Sequence, residues 1–274
     1  MVRIAVCQLR LDIENPAMCC EAATDALRSA IDGGAHIIVL PELSNSGYNF
    51  ASKEEVAERS VRLNSSLIAD WKMIAKESDV VIIAGLAIDD ENELWNGSVV
   101  IDKNGLLGWY AKVHLFGDEP KYFKAGSKQP LVVNTHYGRI ATMVCYDIEF
   151  TEWVRLTMLQ GAQILALPTN WPELGQVIPA TPLEVVRVQA AASQNKIVVA
   201  AADRCGDERG LSWVGASVIT DFDGLIKTMA DIAIQDATQI LYADIELPTD
   251  TAITEKNDIR KDRRPDLYSG LLNP

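Results

Sequence analysis

Short apolar runs of strand size recur along this chain and alternate with helical patterns, and this alternation limits the fold more than any other feature of the sequence. The runs are Ile4 to Val6, His36 to Leu40, Val80 to Ile88, Ser98 to Ile101, Leu106 to Lys112, Arg139 to Cys145, Gln163 to Leu167, Ile197 to Ala202 and Ala216 to Thr220. Between several of them the apolar spacing turns helical: Pro16 to Asp32, stopped by Gly33-Gly34, then Leu63 to Ser78, Glu149 to Gln160 and Pro182 to Asn195. The pattern predicts an α/β protein. Other runs follow one another through Asp102-Lys103-Asn104-Gly105 and Phe222-Asp223-Gly224, which is hairpin chemistry, so the sheet is expected to mix parallel and antiparallel neighbours. No linker rich in Pro, Gly or Ser and no repeat interrupts the chain, and residues 1–274 read as one continuous domain.

Composition narrows the partners. A hydrophobic share of 48% with 23% charged residues is that of an ordinary globular protein and excludes long-range disorder. Twenty-five Lys and Arg against 38 Asp and Glu leave a net charge of −13, so a nucleic-acid surface would have to work against the field of the whole molecule. No nucleic-acid partner is expected. The longest apolar runs, such as Ile197 to Ala202, fall well short of the roughly 18 residues of a bilayer span, and the opening MVRIAVCQLR has no signal-peptide core or cleavage site. Five cysteines, with Cys19 and Cys20 adjacent in a helical pattern, fit no disulfide framework, so a reducing cytoplasm is expected. His36, His114 and His136 lack ligand spacing, and no metal is expected.

Three of the strand-like runs end on a chemically distinctive residue. HIIVLPE delivers Glu42, WYAKVHLF ends its strand on Lys112, and RIATMVCYD ends on Cys145 just before a helix. Ligands of open α/β sheets bind beyond the carboxyl ends of strands, so these three side chains can share a pocket although they are far apart in sequence. Singly, each has a plainer reading: a loop carboxylate, a solvated strand end, a small buried hydrophobe. Together PEL, KVHLFGDE and CYDIEFTE, in this order and spacing, resemble the catalytic boxes of the nitrilase superfamily, the carbon–nitrogen hydrolases. The likeness runs from IAVCQL through Leu165 to Trp171 and DRCGDERGLSWVGASVITDFDG to RRPDLY.

The resemblance implies a four-layer α-β-β-α sandwich and a Glu–Lys–Cys site without metal or cofactor. It makes Glu42 the general base, Lys112 the oxyanion stabiliser, Cys145 the nucleophile and Glu119 a second acid beside base and substrate. The backbone N–H of Tyr146 would join Lys112 at the oxyanion. Amide hydrolysis needs an activated nucleophile, a stabilised oxyanion and a proton for the leaving nitrogen, and these residue types supply each. Relatives that hydrolyse nitriles usually carry Trp then Glu after the cysteine, whereas Tyr146 and Asp147 follow here, as in amidases and carbamoyl-amide hydrolases. The expected reaction is therefore hydrolysis of a small carboxamide to acid and ammonia through a Cys145 thioester. Rival readings are an N-carbamoyl amide hydrolase, a nitrilase, an inactive binding relative, and a Cys–His hydrolase using His114 or His136.

Further positions refine this picture. Glu149 stands where many relatives have Arg; either it lies near the pocket and favours neutral or amine-bearing amides, or it only starts its helix. Ala191 and Gln194 replace together the Arg and Glu of a pattern common in the family, which reads as a lost structural ion pair. Tyr48, Asn170 and Trp171 are candidates to wall the acyl pocket, with a core plug as the plainer reading for Trp171. The basic stretch Arg260 to Arg264 resembles the family's terminal segment; from about residue 247 onward, packing or subunit contact is expected. A homodimer through the outer helices is expected, with a monomer as the alternative.

Overall fold

Side chains of a strand alternate between two faces, and in this protein both faces of most strands are apolar. The computed structural model describes residues 1–175 and 178–272. In β1 (Val2–Arg10), Ile4 and Val6 enter one core while Ala5, Cys7 and Leu9 enter another. A strand buried on both faces needs a layer on each side, and these strands have one. Helix α1 (Pro16–Asp32) follows, begun by Asn15, whose side chain accepts the Met18 N–H, and by Pro16 at the first turn. Then come β2 (Ile37–Val39), α2 (Lys53–Arg59), α3 (Ser66–Ser78), and β3 (Val81–Asp90), β4 (Glu93–Asp102) and β5 (Gly105–Ala111). The second half runs β6 (Leu131–Thr135), β7 (Gly138–Thr142), α4 (Thr151–Leu159), β8 (Ile164–Pro168), α5 (Leu183–Asn195) and β9 (Val198–Ala202). Short strands β10 (Arg204–Cys205), β11 (Asp207–Glu208) and β12 (Leu211–Ser212) precede β13 (Val218–Thr220), β14 (Ile226–Met229) and β15 (Gln239–Ile245).

The first sheet has the order β10-β1-β2-β3-β4-β5, with β15 also paired to β1; the second has the order β14-β13-β9-β8-β7-β6. Both are mixed: β1, β2 and β3 are parallel neighbours, as are β7, β8 and β9, and antiparallel strands flank each trio. Ile37, Val39, Val81 and Ile83 of the first sheet meet Ile140, Ile164, Ala166, Val198 and Ala200 of the second in the central core. The opposite faces pack outward, on α1 and α3 in one case and on α4 and α5 in the other. This is the expected α-β-β-α sandwich. Fully burying each Val, Ile or Leu contributes about 1.5–3 kcal/mol, so the alternating apolar pattern itself selects a fold with two outer helical layers.

The structure corrects several boundaries. The run expected as a strand to Cys145 stops at Thr142, and Cys145 instead opens a turn of 3-10 helix, Cys145–Glu149. The helix expected from Glu149 begins at Thr151, so Glu149 does not start it. Helix α2 and strands β6, β14 and β15 were not apparent from apolar runs; α2 buries only Val56, and β14 buries no residue fully.

Candidate active site

Glu42 lies just beyond β2, Lys112 directly after β5, Cys145 shortly after β7 and Asn170 two residues after β8. The first two come from one sheet and the last two from the other, so the group forms where the strand ends of both sheets meet. A hydrogen bond between the hydroxyls of Ser98 on β4 and Thr142 on β7, 2.8 Å long, ties the two sheets together. The loop carrying Glu42 lies directly on β3: a Cβ at Gly85 would stand 2.4 Å from Glu42 Cα and 2.6 Å from Pro41 O, so that position accepts only glycine.

Lys112 is the centre of the cluster. The reading of a solvated strand end does not hold, because Lys112 is fully buried and its Nζ donates to Glu42 Oε1 at 2.8 Å and to Glu119 Oε1 at 2.7 Å. Burial by itself would drive the ammonium towards neutrality, but Glu119 and Glu42 outweigh it and raise the lysine above its ordinary pKa. Glu42 is equally buried. Its Oε1 also accepts from Asn96 Nδ2 at 2.6 Å, whereas its Oε2 has no hydrogen-bond partner among the described residues. Burial pushes the Glu42 carboxyl from its ordinary 4.5 to about 7, Lys112 opposing the rise and Glu119 adding to it. Glu119 sits in a short 3-10 turn and is well bonded: its Oε1 also accepts from Tyr48 Oη at 2.8 Å, and its Oε2 accepts the Phe116 N–H at 3.0 Å.

Cys145 has φ +46, a left-handed conformation uncommon for a residue with a side chain. Its thiol is buried and contacts Asn170 O at 3.6 Å. Burial, reinforced by the negative charge of Glu42, raises it well above the usual thiol range against the pull of Lys112. Asn170 joins the two halves of the site, since its Nδ2 donates to Glu42 O at 3.0 Å while its own carbonyl faces the thiol.

Sequence reasoning missed the groups that hold this geometry. Asp147, fully buried, accepts from Val144 N at 3.1 Å, Tyr110 Oη at 2.8 Å, and His114 N at 3.0 Å, with His114 Nδ1 at 2.7 Å. One carboxylate thus anchors the turn of Cys145 to the segment that follows Lys112. Asn96 was missed because it sits inside an apolar strand, and only its contact with Glu42 reveals it. The position of Asp147 directly after CY was the available signal. His114 is engaged by Asp147, and His136 pairs with Asp79 at 3.1 Å.

The remaining candidates divide. Tyr48 and Asn170 join the cluster. Trp171 belongs to the core beneath α4 and α5, and its main-chain N–H donates to Asp203 Oδ1 at 2.9 Å. Tyr146 packs its ring edge-on against Phe116 and Phe150. It is the second residue of the 3-10 turn, where an N–H has no partner within the helix. Glu149, the last residue of that turn, is exposed and paired with Arg187 of α5 at 2.9 Å; Arg187 also contacts Glu184 at 3.4 Å. Among the described residues no group of three or more His, Cys, Asp or Glu side chains could hold a metal ion.

Comparison with known proteins agrees with this architecture. The family model described as carbon-nitrogen hydrolase matches residues 3–253. A nitrilase from Pyrococcus abyssi is 33% identical over 269 residues, covering 98% of this chain and 99% of that protein. The 2-oxoglutaramate amidase of Bacillus subtilis is 31% identical over 238 residues, covering 85% and 87%. A solved amidase from Nesterenkonia sp. AN1, a mutant carrying acrylamide added to its active-site cysteine, superimposes with a TM-score of 0.79 at 26% identity, covering 99% of this chain and 100% of that one. With the family model matched from near the first residue to beyond β15, the chain belongs to the carbon-nitrogen hydrolases of the nitrilase superfamily and is an amidase-like hydrolase.

Proposed function

We propose that the protein is a cofactor-independent thiol amidase that hydrolyses a small carboxamide to the carboxylic acid and ammonia, with Cys145 as nucleophile. The observation that carries this reading is the buried Glu42 Oε2, without a hydrogen-bond partner among the described residues, in a cluster that also holds a charged lysine and neighbours a protonated thiol. Because the thiol and the carboxyl are both raised, proton transfer from Cys145 to Glu42 is better matched than it would be between a buried thiol and an ordinary carboxylate. The thiolate attacks the carbonyl carbon as the C=O pair moves to oxygen. Lys112 Nζ and the Tyr146 N–H stabilise that oxyanion; one such donor is worth roughly 100-fold or more in rate. Glu42 returns the proton to nitrogen, the C–N bond breaks, and ammonia leaves a thioester on Cys145. Water, deprotonated by Glu42, then attacks the thioester and releases the acid and the thiol. Glu119 accepts a second hydrogen bond from Lys112 Nζ and keeps it charged.

The preference for neutral or amine-bearing amides over anionic ones rests on position 149, where many relatives carry Arg: here Glu149 stands instead, and the nearby Arg187 is already held by Glu149 and Glu184. The Bacillus relative is named for an anionic amide, 2-oxoglutaramate, so charge preference is the point on which this chain is expected to differ. Tyr48 and Asn170 would bound the acyl group, while Trp171 serves the core. No helix among the described residues is long and apolar enough to cross a membrane, and five free cysteines support a reducing, cytoplasmic setting. A homodimer fits the exposed Leu183 and Val186 of α5 and a groove of about 1050 Å³ between α4 and the segment after residue 247, lined by Leu156, Leu159, Ile259 and Leu271. The activity is tested by ammonia release from a panel of carboxamides, nitriles and N-carbamoyl amino acids. Release from neutral carboxamides, abolished in Cys145→Ala, is expected; release from nitriles or ureido substrates alone would overturn the reading.

A further inference from the structure

The proposed reaction leaves a second set of interior charges without a role. Arg204 and Glu208, on β10 and β11, are 0% and 4% exposed. Arg204 Nη2 donates to Glu208 Oε2 at 2.6 Å and to Leu11 O at 3.1 Å. Glu208 Oε1 faces the other way and accepts the N–H groups of Tyr48 at 2.7 Å and Asn49 at 2.6 Å. A carboxylate this deep is costly unless its oxygens are occupied, and here the main chain of one loop occupies one of them. Gly47 allows the approach: its φ is +83, and a Cβ there would stand 2.9 Å from Glu208 Oε2 and 2.7 Å from Ile13 Cβ. The side chain of Tyr48 is set by the same pair, because the Arg204 guanidinium lies 4.7 Å from the Trp213 ring centroid and Trp213 meets the Tyr48 ring edge-on at 5.1 Å. The Tyr48 hydroxyl then reaches Glu119 Oε1, the oxygen that also receives Lys112 Nζ.

We infer that Glu208, oriented by Arg204, is a positioning residue for amide hydrolysis: it fixes the main chain at Tyr48 and Asn49 so that the Tyr48 hydroxyl and Glu119 together hold Lys112 towards the reacting carbonyl. The inference rests on the amidase reading given above. Glu208 reaches the cluster only through Tyr48, so its loss should act on the chemical step rather than on substrate binding. A displacement of about 1 Å at such a site costs on the order of 100-fold in rate.

The test is a double-variant cycle. Glu208→Gln keeps an acceptor for the two N–H groups but turns an amide N–H towards Arg204, which loosens the loop. Glu208→Gln and Tyr48→Phe should each lower kcat by about 10- to 100-fold with KM nearly unchanged. The double variant should be no worse than the weaker single to within about threefold, because both losses run through one hydroxyl. Should Glu208→Gln fail to fold, Glu208→Asp keeps the charge facing Arg204 while withdrawing the acceptor, and the same non-additivity is expected. A folded Glu208 variant with wild-type kcat and only a lower Tm, or losses that multiply in the double variant, would overturn the inference. A second readout needs no amide: the pH dependence of Cys145 alkylation by iodoacetamide should move in the Glu208 variant as it does in Tyr48→Phe, and an unmoved profile would also overturn it. A wild-type protein that released no ammonia would sink the amidase reading, and the alkylation profiles would still decide the role of Glu208.

Discussion

The Arg204–Glu208 pair and the Glu42–Lys112–Glu119 cluster are both sealed from solvent, yet they balance differently. In the first, one guanidinium meets one carboxylate, and both carboxylate oxygens are occupied. In the second, two carboxylates share one ammonium, and Glu42 Oε2 has no partner among the described residues. Burial therefore does not separate a structural charge from a reactive one. What separates them is surplus: the second cluster carries an acid whose negative charge is only partly compensated, and that acid neighbours a thiol.

The largest contrast should come from removing one charged partner from each. Glu42→Gln is expected to lower kcat by about 1000-fold or more, since general acid–base catalysis is worth roughly 100- to 10,000-fold, while leaving the fold intact. Arg204→Met strands Glu208 as an unpaired interior charge and should cost about 3–5 kcal/mol of stability, read by chemical denaturation. If Glu42→Gln unfolded the protein and Arg204→Met did not, the two clusters would have been assigned the wrong way round.

Lys112→Met should combine both effects. It removes the proposed oxyanion donor, for an expected loss of about 100- to 1000-fold in kcat, and leaves two buried carboxylates facing each other, so stability at neutral pH should fall as well. A folded Lys112→Met enzyme with near-normal rate would refute the oxyanion role.

The pH dependence sharpens the comparison further. The folded-state pKa of Glu42 lies above its ordinary 4.5, so Glu42 contributes stability at low pH and that contribution is lost as pH rises towards about 7. Glutamine does not titrate, so Glu42→Gln should be more stable than wild type above neutrality and lose that advantage in acid. Activity runs the opposite way: kcat/KM should fall on the acid side as Glu42 takes up its proton, with a midpoint well above 4.5. An acid limb centred at the ordinary carboxylate value would contradict the burial argument.

The smallest effect is expected at Glu149. It is exposed and shares Arg187 with Glu184, so Glu149→Ala should change the ratio of kcat/KM for amine-bearing and anionic amides only a few-fold, in favour of the anionic ones, as surface charge changes do. An unchanged ratio would assign Glu149 to packing alone.

What was legible in the sequence follows from the same physics. The strands of the sandwich stood out because both faces are buried, and Glu42, Lys112 and Cys145 stood out as polar residues that interrupt or end such runs. Helix α2 did not, since a helix that buries one residue has no apolar stripe to read. Strand β15 pairs along β1, and that pairing of Val2 with Ile245 has no local signature. Asn96, Asp147, Arg204 and Glu208 look like ordinary polar residues until the tertiary fold brings them to their partners. Local spacing picks out the residues proposed to react, whereas the residues that hold them in place are defined by contacts across the two sheets.

The central claim is that the surplus charge serves the thiol of Cys145, and the most direct test is the mass of the trapped acyl-enzyme. Acid quenching during turnover of a small carboxamide, followed by peptide mapping, should place a single acyl group on Cys145 and none on Cys7, Cys19, Cys20 or Cys205, with no adduct and no turnover in Cys145→Ala. Turnover retained in Cys145→Ala, or an acyl group mapped to any other cysteine, would contradict the account.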